Sequence, residues 1–149
     1  MRLWHYRILP YLPKSQILAQ YRELNSIYKK QDKHILINYI YEYSKEDLYY
    51  YSILVIGEMI KRGFKVHNLQ NLQQYFNLTD EVMYLGIPNA DKFKLQNPIF
   101  INHHNDRYLL QCFYNLQEKF DRKQKDFTEE QYINLKNFVG KVVNLNEYN

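Results

Sequence analysis

The sequence predicts an all-α fold, a compact single-domain helical bundle over residues 1–149 with an irregular N-terminal arm and long loops. No segment alternates apolar and polar residues as a half-buried strand does, whereas several runs place apolar residues at helical spacing. The chain also has only four glycines and four prolines, so there are few breaks between elements. Hydrophobic residues make up 46% of the chain, which is enough for one core.

The chain is predicted to begin with an irregular arm that leads into an amphipathic helix. Pro10 and Pro13 oppose helix, so residues 2–13 are predicted to be extended or irregular. Ser15 is placed to cap a helix that runs to about Lys30. The helix has an apolar stripe for the core, made of Ile17, Leu18, Tyr21, Leu24 and Tyr28.

A long apolar helix is predicted near the middle of the chain, after a short helix around residues 34–43. Ser44 and Asp47 resemble a capping box that lacks its usual Glu or Gln. The run KEDLYYYSILVIGEMIKR follows and stops at Gly63, a residue type common just after a helix. Because this helix is apolar on nearly every face, we expect it to be the buried centre of the fold.

The second half of the chain is predicted to hold three helices and a long loop. A short helix is expected near residues 69–77, and residues 78–102, with Pro88 and Pro98, are expected to form a loop. The next helix covers Asp106 to Arg122. Thr128 with Gln131 forms a capping box for a last helix that ends near Val139.

Positive charge is concentrated at the start of the chain. The net charge is +4, but residues 1–35 alone carry seven basic side chains against two acidic ones. A local basic surface is typical of phosphate-binding proteins, and a solvated helix face has the same composition. No stretch approaches the ~20 apolar residues that span a bilayer, and the charged, proline-containing N-terminus does not resemble a signal peptide. We therefore expect a cytoplasmic, nucleoid or virus-encoded protein that is not secreted.

The single cysteine and the histidines give little sign of a metal site. Cys112 cannot form an internal disulfide and lies in an apolar run, so it is interpreted as a buried thiol. His103 and His104 are adjacent, and the chain has no HExxH motif, so no metal is predicted. For His104 a phosphate contact, a proton-transfer role and a structural role all stay open.

Glu23 is the carboxylate with the most unusual position. On the first helix it falls at the boundary between the apolar stripe and solvent. The positions three and four residues away are Ala19, Gln20, Ser26 and Ile27, so no helical salt bridge explains it. A surface glutamate and a catalytic carboxylate are both compatible with this pattern.

Several strings resemble one enzyme family. The segment AQYREL at residues 19–24 is similar to the active-site helix of phage-type endonuclease V, the pyrimidine-dimer DNA glycosylase family. Lys33-His34 and IGEMIKRGF at 56–64 follow in the same order. The opening MRLWHYRILPYLP and the segment HHNDRYLLQCFYNLQEK at 103–119 look closer to cellular and viral branches of that family. Residues 70–100 and the tail from 125 match nothing recognisable.

This resemblance implies a DNA repair glycosylase with abasic-site lyase activity that excises UV-induced pyrimidine dimers. In the family a terminal amine forms a Schiff base and a carboxylate assists, roles that fall here on Met1 and Glu23 as the catalytic residues. An α-amine, with a pKa of about 7.7–8.0, is already partly neutral near pH 7. Neither a metal nor an organic cofactor is implied.

The DNA-binding residues follow from the same resemblance and from the basic N-terminal region. They are Arg2, Arg22, Lys29, Lys30, Lys33, His34 and His104. Arg22 has two readings, a solvated helix arginine and a phosphate clamp that also holds Glu23. The partner is double-stranded damaged DNA, with no membrane, and we expect a monomer.

The sequence departs from the phage pattern at three places. A bulky Arg2 should block removal of Met1, where the phage enzyme exposes a threonine. Ser26 and Gln16 replace a DNA-facing arginine and a histidine, so fewer phosphate contacts are expected. Two other functions stay open, a non-catalytic nucleic-acid-binding module on the same scaffold and a glycosylase or lyase for another base lesion.

Overall fold

The computed structural model of the chain describes residues 2–86 and 98–144. Met1 and Pro88 lie outside these residues, as does much of the loop predicted over 78–102. Helices are the only regular secondary structure of the described part, which contains no strand, and this confirms the all-α prediction. Its α-helices are α1 Lys14–Lys29, α2 Lys45–Lys61, α3 Leu69–Phe76, α4 Asp80–Gly86, α5 Asp106–Asp121 and α6 Glu129–Val142, with 3-10 helices at Tyr6–Tyr11 and Asn38–Glu42.

Helix α2 lies at the centre of the packing, as its apolar composition predicts. It packs against α1 and against the 3-10 helix Tyr6–Tyr11, while α1 also contacts α3. Helix α6 packs against α5 and the same 3-10 helix. The buried side chains of α2 include Leu48, Tyr51, Ile53, Val55, Ile56 and Met59. None of the described helices is long and apolar enough to cross a membrane.

The N-terminal arm differs from the predicted irregular segment because residues Tyr6–Tyr11 form a 3-10 helix. Pro10 is compatible with so short an element, and His5 caps it by accepting a hydrogen bond from the Arg7 N–H. The capping role predicted for Ser15 is wrong: α1 begins at Lys14 after Pro13. Ser15 instead accepts a hydrogen bond from Gln124 and donates its N–H to Asp126.

Two further predictions need correction. The helix expected over residues 34–43 is a hydrogen-bonded turn followed by the 3-10 helix Asn38–Glu42. Part of the loop predicted over 78–102 is helix α4, where the Thr79 hydroxyl accepts a hydrogen bond from the Val82 N–H. Residues 98–105 are free of helix, as expected.

The ends of the longer helices were predicted well. Gly63, the second residue after α2, has a φ of +78°, and the Phe64 N–H donates to the Met59 carbonyl oxygen at 2.9 Å. The capping box of α6 is present, with both bonds between Thr128 and Gln131 at 3.1 Å. Ser44 is the N-cap of α2, but its side chain makes no capping bond. Asp47 instead accepts a hydrogen bond from the Phe100 N–H.

Arg62 fixes the N-terminal arm to the end of α2. Its guanidinium donates to the carbonyl oxygens of Leu12 at 2.7 Å and Pro10 at 3.0 Å. Glu58 holds the same group from the preceding turn, at 2.7 Å. These bonds keep the arm against α1 and α2, so that Leu3 and Trp4 are buried beside the middle of α1.

Candidate active site

Glu23 lies in a cleft of about 310 Å³ between the N-terminal arm, α1 and α5. The arm supplies Arg2 and Trp4, and α5 supplies Asn115 and Lys119. Leu36, from the turn after α1, also lines the cleft. Glu23 therefore faces a recess that has cationic side chains on two sides, as a site for a phosphate-bearing substrate requires.

Gln20 organises the floor of this cleft. Its side chain is 1% exposed. The amide nitrogen donates to Glu23 Oε2 at 3.0 Å and to the Arg2 carbonyl oxygen at 3.1 Å. The amide oxygen accepts from the Trp4 N–H at 2.8 Å. One buried amide thus ties the backbone on both sides of Leu3 to the Glu23 carboxylate.

Tyr51 supports Gln20 from the centre of the core. Its hydroxyl lies 2.8 Å from Gln20 Oε1 and 2.7 Å from the Trp4 carbonyl oxygen, so its single proton is shared between two acceptors. Tyr51 is completely buried on α2. The position of Glu23 is therefore linked through Gln20 to the central helix α2, which limits the movement of the carboxylate.

The surroundings of Glu23 favour its neutral form more than water does. The side chain is half-buried, and this burial raises the pKa of Glu23 above its ordinary value. Hydrogen bonds from Gln20 and the Arg2 backbone, and the charge of Arg22, oppose that rise. In the described part of the chain no ion pair joins Glu23 to a cation. Such a carboxylate can accept a proton during a reaction near neutral pH.

The predicted basic residues of the N-terminal region are accessible. Arg2 is half-buried, with its guanidinium 5.9 Å from the centre of the Trp4 ring. Arg22 is exposed on α1. The side chain that bonds the Glu23 carboxylate is that of Gln20, where one interpretation of the sequence expected Arg22. Lys29 and Lys30 end α1, and the exposed pair Lys33 and His34 follows in the next turn.

His104 does not lie with these residues. It is 5% exposed, and its Nδ1 accepts a hydrogen bond from the Tyr6 N–H. A neutral ring then carries its proton on Nε2, which lies 2.6 Å from the Tyr39 hydroxyl. Burial lowers the pKa of His104 well below its ordinary value. Of the roles the sequence left open, the structural one fits this position.

His5, which had no predicted role, holds the arm to the start of α5. Its Nδ1 accepts from the Arg7 N–H, so Nε2 carries the proton and donates to the His104 carbonyl oxygen at 2.9 Å. Burial lowers the pKa of His5 to about 4. His103 lies outside this pair and contacts Tyr43 and Glu42. Over the described residues, no group of three or more His, Cys, Asp or Glu side chains could hold a metal ion.

Sequence reasoning missed several residues of the cleft. Gln20 was considered only as a position without charge, although its spacing of three residues from Glu23 puts both on one helix face. Lys119 and Asn115 lie on a predicted helix far along the chain, and no local pattern connects them to Glu23. A second cleft of about 280 Å³ contains both residues and continues along α5 to Arg122.

Comparison with known proteins finds one family match in the N-terminal part of the chain. Residues 1–72 match the family of pyrimidine dimer DNA glycosylases. The match confirms the resemblance predicted from the sequence, and it covers a little under half of the chain. No curated protein and no solved structure matches the chain.

The matched residues hold one wall of the cleft. They include Glu23, Gln20 and the basic residues from Arg2 to His34. Asn115, Lys119 and His104 lie beyond residue 72, so the family match does not extend to them. The pyrimidine dimer DNA glycosylase family acts on damaged DNA, and its members are glycosylases.

Proposed function

We propose that this protein is a DNA glycosylase and abasic-site lyase that excises pyrimidine dimers through a Schiff base on its N-terminal amine. The observation that carries the proposal is the hydrogen-bonded chain from Arg2 through Gln20 to Glu23, at the bottom of a cleft lined by cations. Together with the match over residues 1–72, this geometry supports Glu23 as the catalytic carboxylate of the proposed reaction.

The α-amino group of Met1 is the proposed nucleophile. Met1 itself lies outside the described residues, but the Arg2 carbonyl oxygen is fixed by the same amide nitrogen that bonds Glu23. The amine attacks C1′ of the 5′ pyrimidine nucleotide, and the base leaves with the electron pair of the glycosidic bond and takes up the proton that the amine loses. The C1′–O4′ bond of the sugar then breaks, O4′ is protonated as the ring opens, and the C1′–N bond becomes an imine.

Glu23 takes two roles in this mechanism. As a carboxylate it stabilises the positive charge that develops on the sugar while the base leaves. It then accepts the C2′ proton of the imine, and the electron pair released expels the 3′ phosphate by β-elimination. The raised pKa of Glu23 suits the second role, since a stronger base takes the proton more readily.

The cationic residues hold duplex DNA across the cleft. Lys29, Lys30 and Lys33 extend from the end of α1, and Lys119 stands on the opposite wall. Arg22 contacts phosphate from the exposed face of α1, and His34 from the following turn. His104 is left out of this surface because its ring is buried.

Borohydride trapping tests the proposal. Wild-type protein is incubated with a UV-dimer duplex and with an abasic-site duplex, and adducts are mapped by intact and peptide mass. We expect an adduct at the Met1 amine on both duplexes. Glu23→Gln should bind damaged DNA as the wild type does and lose strand scission, whereas Ser26→Ala, on the same helix, should leave both unchanged.

The other outcomes separate the rival functions. If neither duplex gives an adduct while the N-terminus is unblocked, the enzyme is excluded and a nucleic-acid-binding module is the better account. An adduct on the abasic duplex alone keeps the lyase and moves the lesion to another class. An adduct that maps to an internal lysine would contradict the role of the terminal amine.

A further inference from the structure

Two apolar side chains stand in solvent beside the cleft. Ile35 is 80% exposed, the largest value among the exposed large hydrophobic residues of the described chain, and its neighbour Leu36 is 44% exposed. Isolated apolar side chains on a surface need no explanation. An adjacent pair at the tip of a turn, with a fully buried Ile37 directly after it, does call for one.

The turn that carries this pair is held in place by its own hydrogen bonds. Asp32 Oδ1 accepts from the His34 N–H at 2.9 Å, and His34 Nδ1 accepts from the Leu36 N–H at 3.2 Å. The His34 carbonyl oxygen also accepts from the Ile37 and Asn38 N–H groups, at 3.0 and 2.9 Å. Ile35 and Leu36 are therefore presented by a defined backbone.

The pair is continuous with the cleft and is bordered by positive charge. Leu36 lines the same recess as Glu23. Lys33 and His34 precede it in the turn, and Lys29 and Lys30 close the helix before. Proteins that bend DNA combine these two features, with cations on the phosphates and an apolar side chain inserted between base pairs.

We infer that Ile35 and Leu36 form a wedge that enters the base stack of duplex DNA at the lesion and exposes C1′ to the cleft. This inference rests on the proposed function and deepens it. Basic side chains anchor the backbone on either side, and the apolar tip replaces the stacking that the opened bases lose. A damaged pair is the easiest place to open, so the wedge favours lesions over intact sequence.

Trapping on two substrates tests the wedge. One is the dimer duplex, which must be opened, and the other is a single-stranded abasic oligonucleotide, which has no stack to open. For Ile35→Ser and for the double variant with Leu36→Ser, we expect the ratio of duplex to single-strand trapping to fall roughly tenfold or more. The control is Ile133→Ser on α6, whose side chain is 46% exposed outside the cleft and whose ratio should equal that of the wild type.

A fluorescent 2-aminopurine opposite the dimer gives a second measurement. Wild-type protein should raise its fluorescence by unstacking it, and the double variant should raise it much less. A wild-type adduct with an unchanged ratio in both variants overturns the wedge alone. If the wild type gives no adduct on either substrate, the proposed function fails and the wedge with it. If two copies of the wild-type protein associate in solution and the double variant is a single chain, with the trapping ratio unchanged, Ile35 and Leu36 serve self-association and not DNA opening.

Discussion

Gln20 Nε2 lies 3.0 Å from Glu23 Oε2, one helical turn away on α1, and 3.1 Å from the Arg2 carbonyl oxygen. This amide is the only side chain described that bonds both the carboxylate and the backbone at the start of the chain. Its own oxygen is held by the Trp4 N–H and the Tyr51 hydroxyl. The geometry of the cleft therefore depends on a residue that never needs to touch DNA.

Replacing Gln20 tests this dependence. Gln20→Met keeps the volume but leaves the buried Trp4 N–H without its acceptor, while the Tyr51 hydroxyl keeps the Trp4 carbonyl oxygen, and we expect a loss of about 1–3 kcal/mol in the free energy of unfolding. Because Glu23 loses its positioning bond, kcat should fall roughly 10- to 100-fold with a smaller change in KM.

The matched control for this change is Gln117→Met, which removes one hydrogen bond to Tyr132 away from the cleft. Urea unfolding and steady-state kinetics on the dimer duplex are the measurements. Equal effects of the two substitutions on kcat would contradict a positioning role for Gln20.

The ionisation of Glu23 should cost stability. Its pKa is raised in the folded state, so the folded protein binds this proton more tightly than the unfolded chain does. The contribution of Glu23 to stability therefore falls as pH rises from about its ordinary value of 4.5 to the raised one, and stays low above it. Glu23→Gln, which is neutral throughout, should be at least as stable as the wild type at neutral pH.

Urea unfolding of the wild type and of Glu23→Gln between pH 4 and 8 measures this difference. The free energy of unfolding of Glu23→Gln should exceed that of the wild type by an amount that increases with pH. A gap that widens in favour of the wild type would mean that Glu23 is stabilised as an anion.

The buried His5, which donates to the His104 carbonyl oxygen, makes the stability of the fold sensitive to acid. The pKa of His5 is lowered from 6.5 to about 4, because the buried ring is poorly solvated. Its neutral form is fully stabilising above pH 6.5, and this stability is lost as pH falls toward 4, by about 3 kcal/mol in total. His5→Asn can still cap the 3-10 helix, and it should flatten the loss of stability over this range. An identical pH profile for both proteins would exclude His5 as a source of the acid sensitivity.

The two helix N-caps offer a matched pair for stability. Thr128 bonds the Gln131 N–H, whereas the Ser44 side chain makes no capping bond. Thr128→Ala should lower the free energy of unfolding by about 1 kcal/mol, and Ser44→Ala should change it much less. Thermal or urea unfolding distinguishes them, and a larger loss in Ser44→Ala would contradict the assigned caps.

The lysines at the end of α1 and in the turn after it should set the salt dependence of DNA binding. Each phosphate contact contributes a slope of about −0.9 to the plot of log affinity against log salt. Lys29→Gln, Lys30→Gln and Lys33→Gln should each make the slope shallower by about that amount. Lys136→Gln, on a helix that contributes no described residue to the cleft, is the control and should leave the slope unchanged. If all four variants have the same salt slope as the wild type, Lys29, Lys30 and Lys33 do not contact DNA phosphates.

Local patterns predicted most of the helices. The end of α2 and the starts of α5 and α6 were correct because Gly63, Asn105 and Thr128 act through bonds to residues a few positions away, whereas α6 runs to Val142 and not to Val139. The errors at Ser15 and in residues 34–43 have the opposite cause. Ser15 is held by Gln124 and Asp126, more than a hundred residues away, and no neighbouring residue reveals those partners.

The sequence alone determined the fold class, most boundaries of the main helices and the basic N-terminal region, since these depend on composition and on spacing along one helix. It also singled out Glu23 as a candidate, through a recognisable string. Only the tertiary structure decided that Gln20 holds Glu23, that Lys119 faces it across the cleft, and that His104 is buried. Those facts depend on contacts between distant segments. Such contacts arise when the whole core closes, because Arg62, Tyr51 and His5 then join the arm to helices that are far away in the chain.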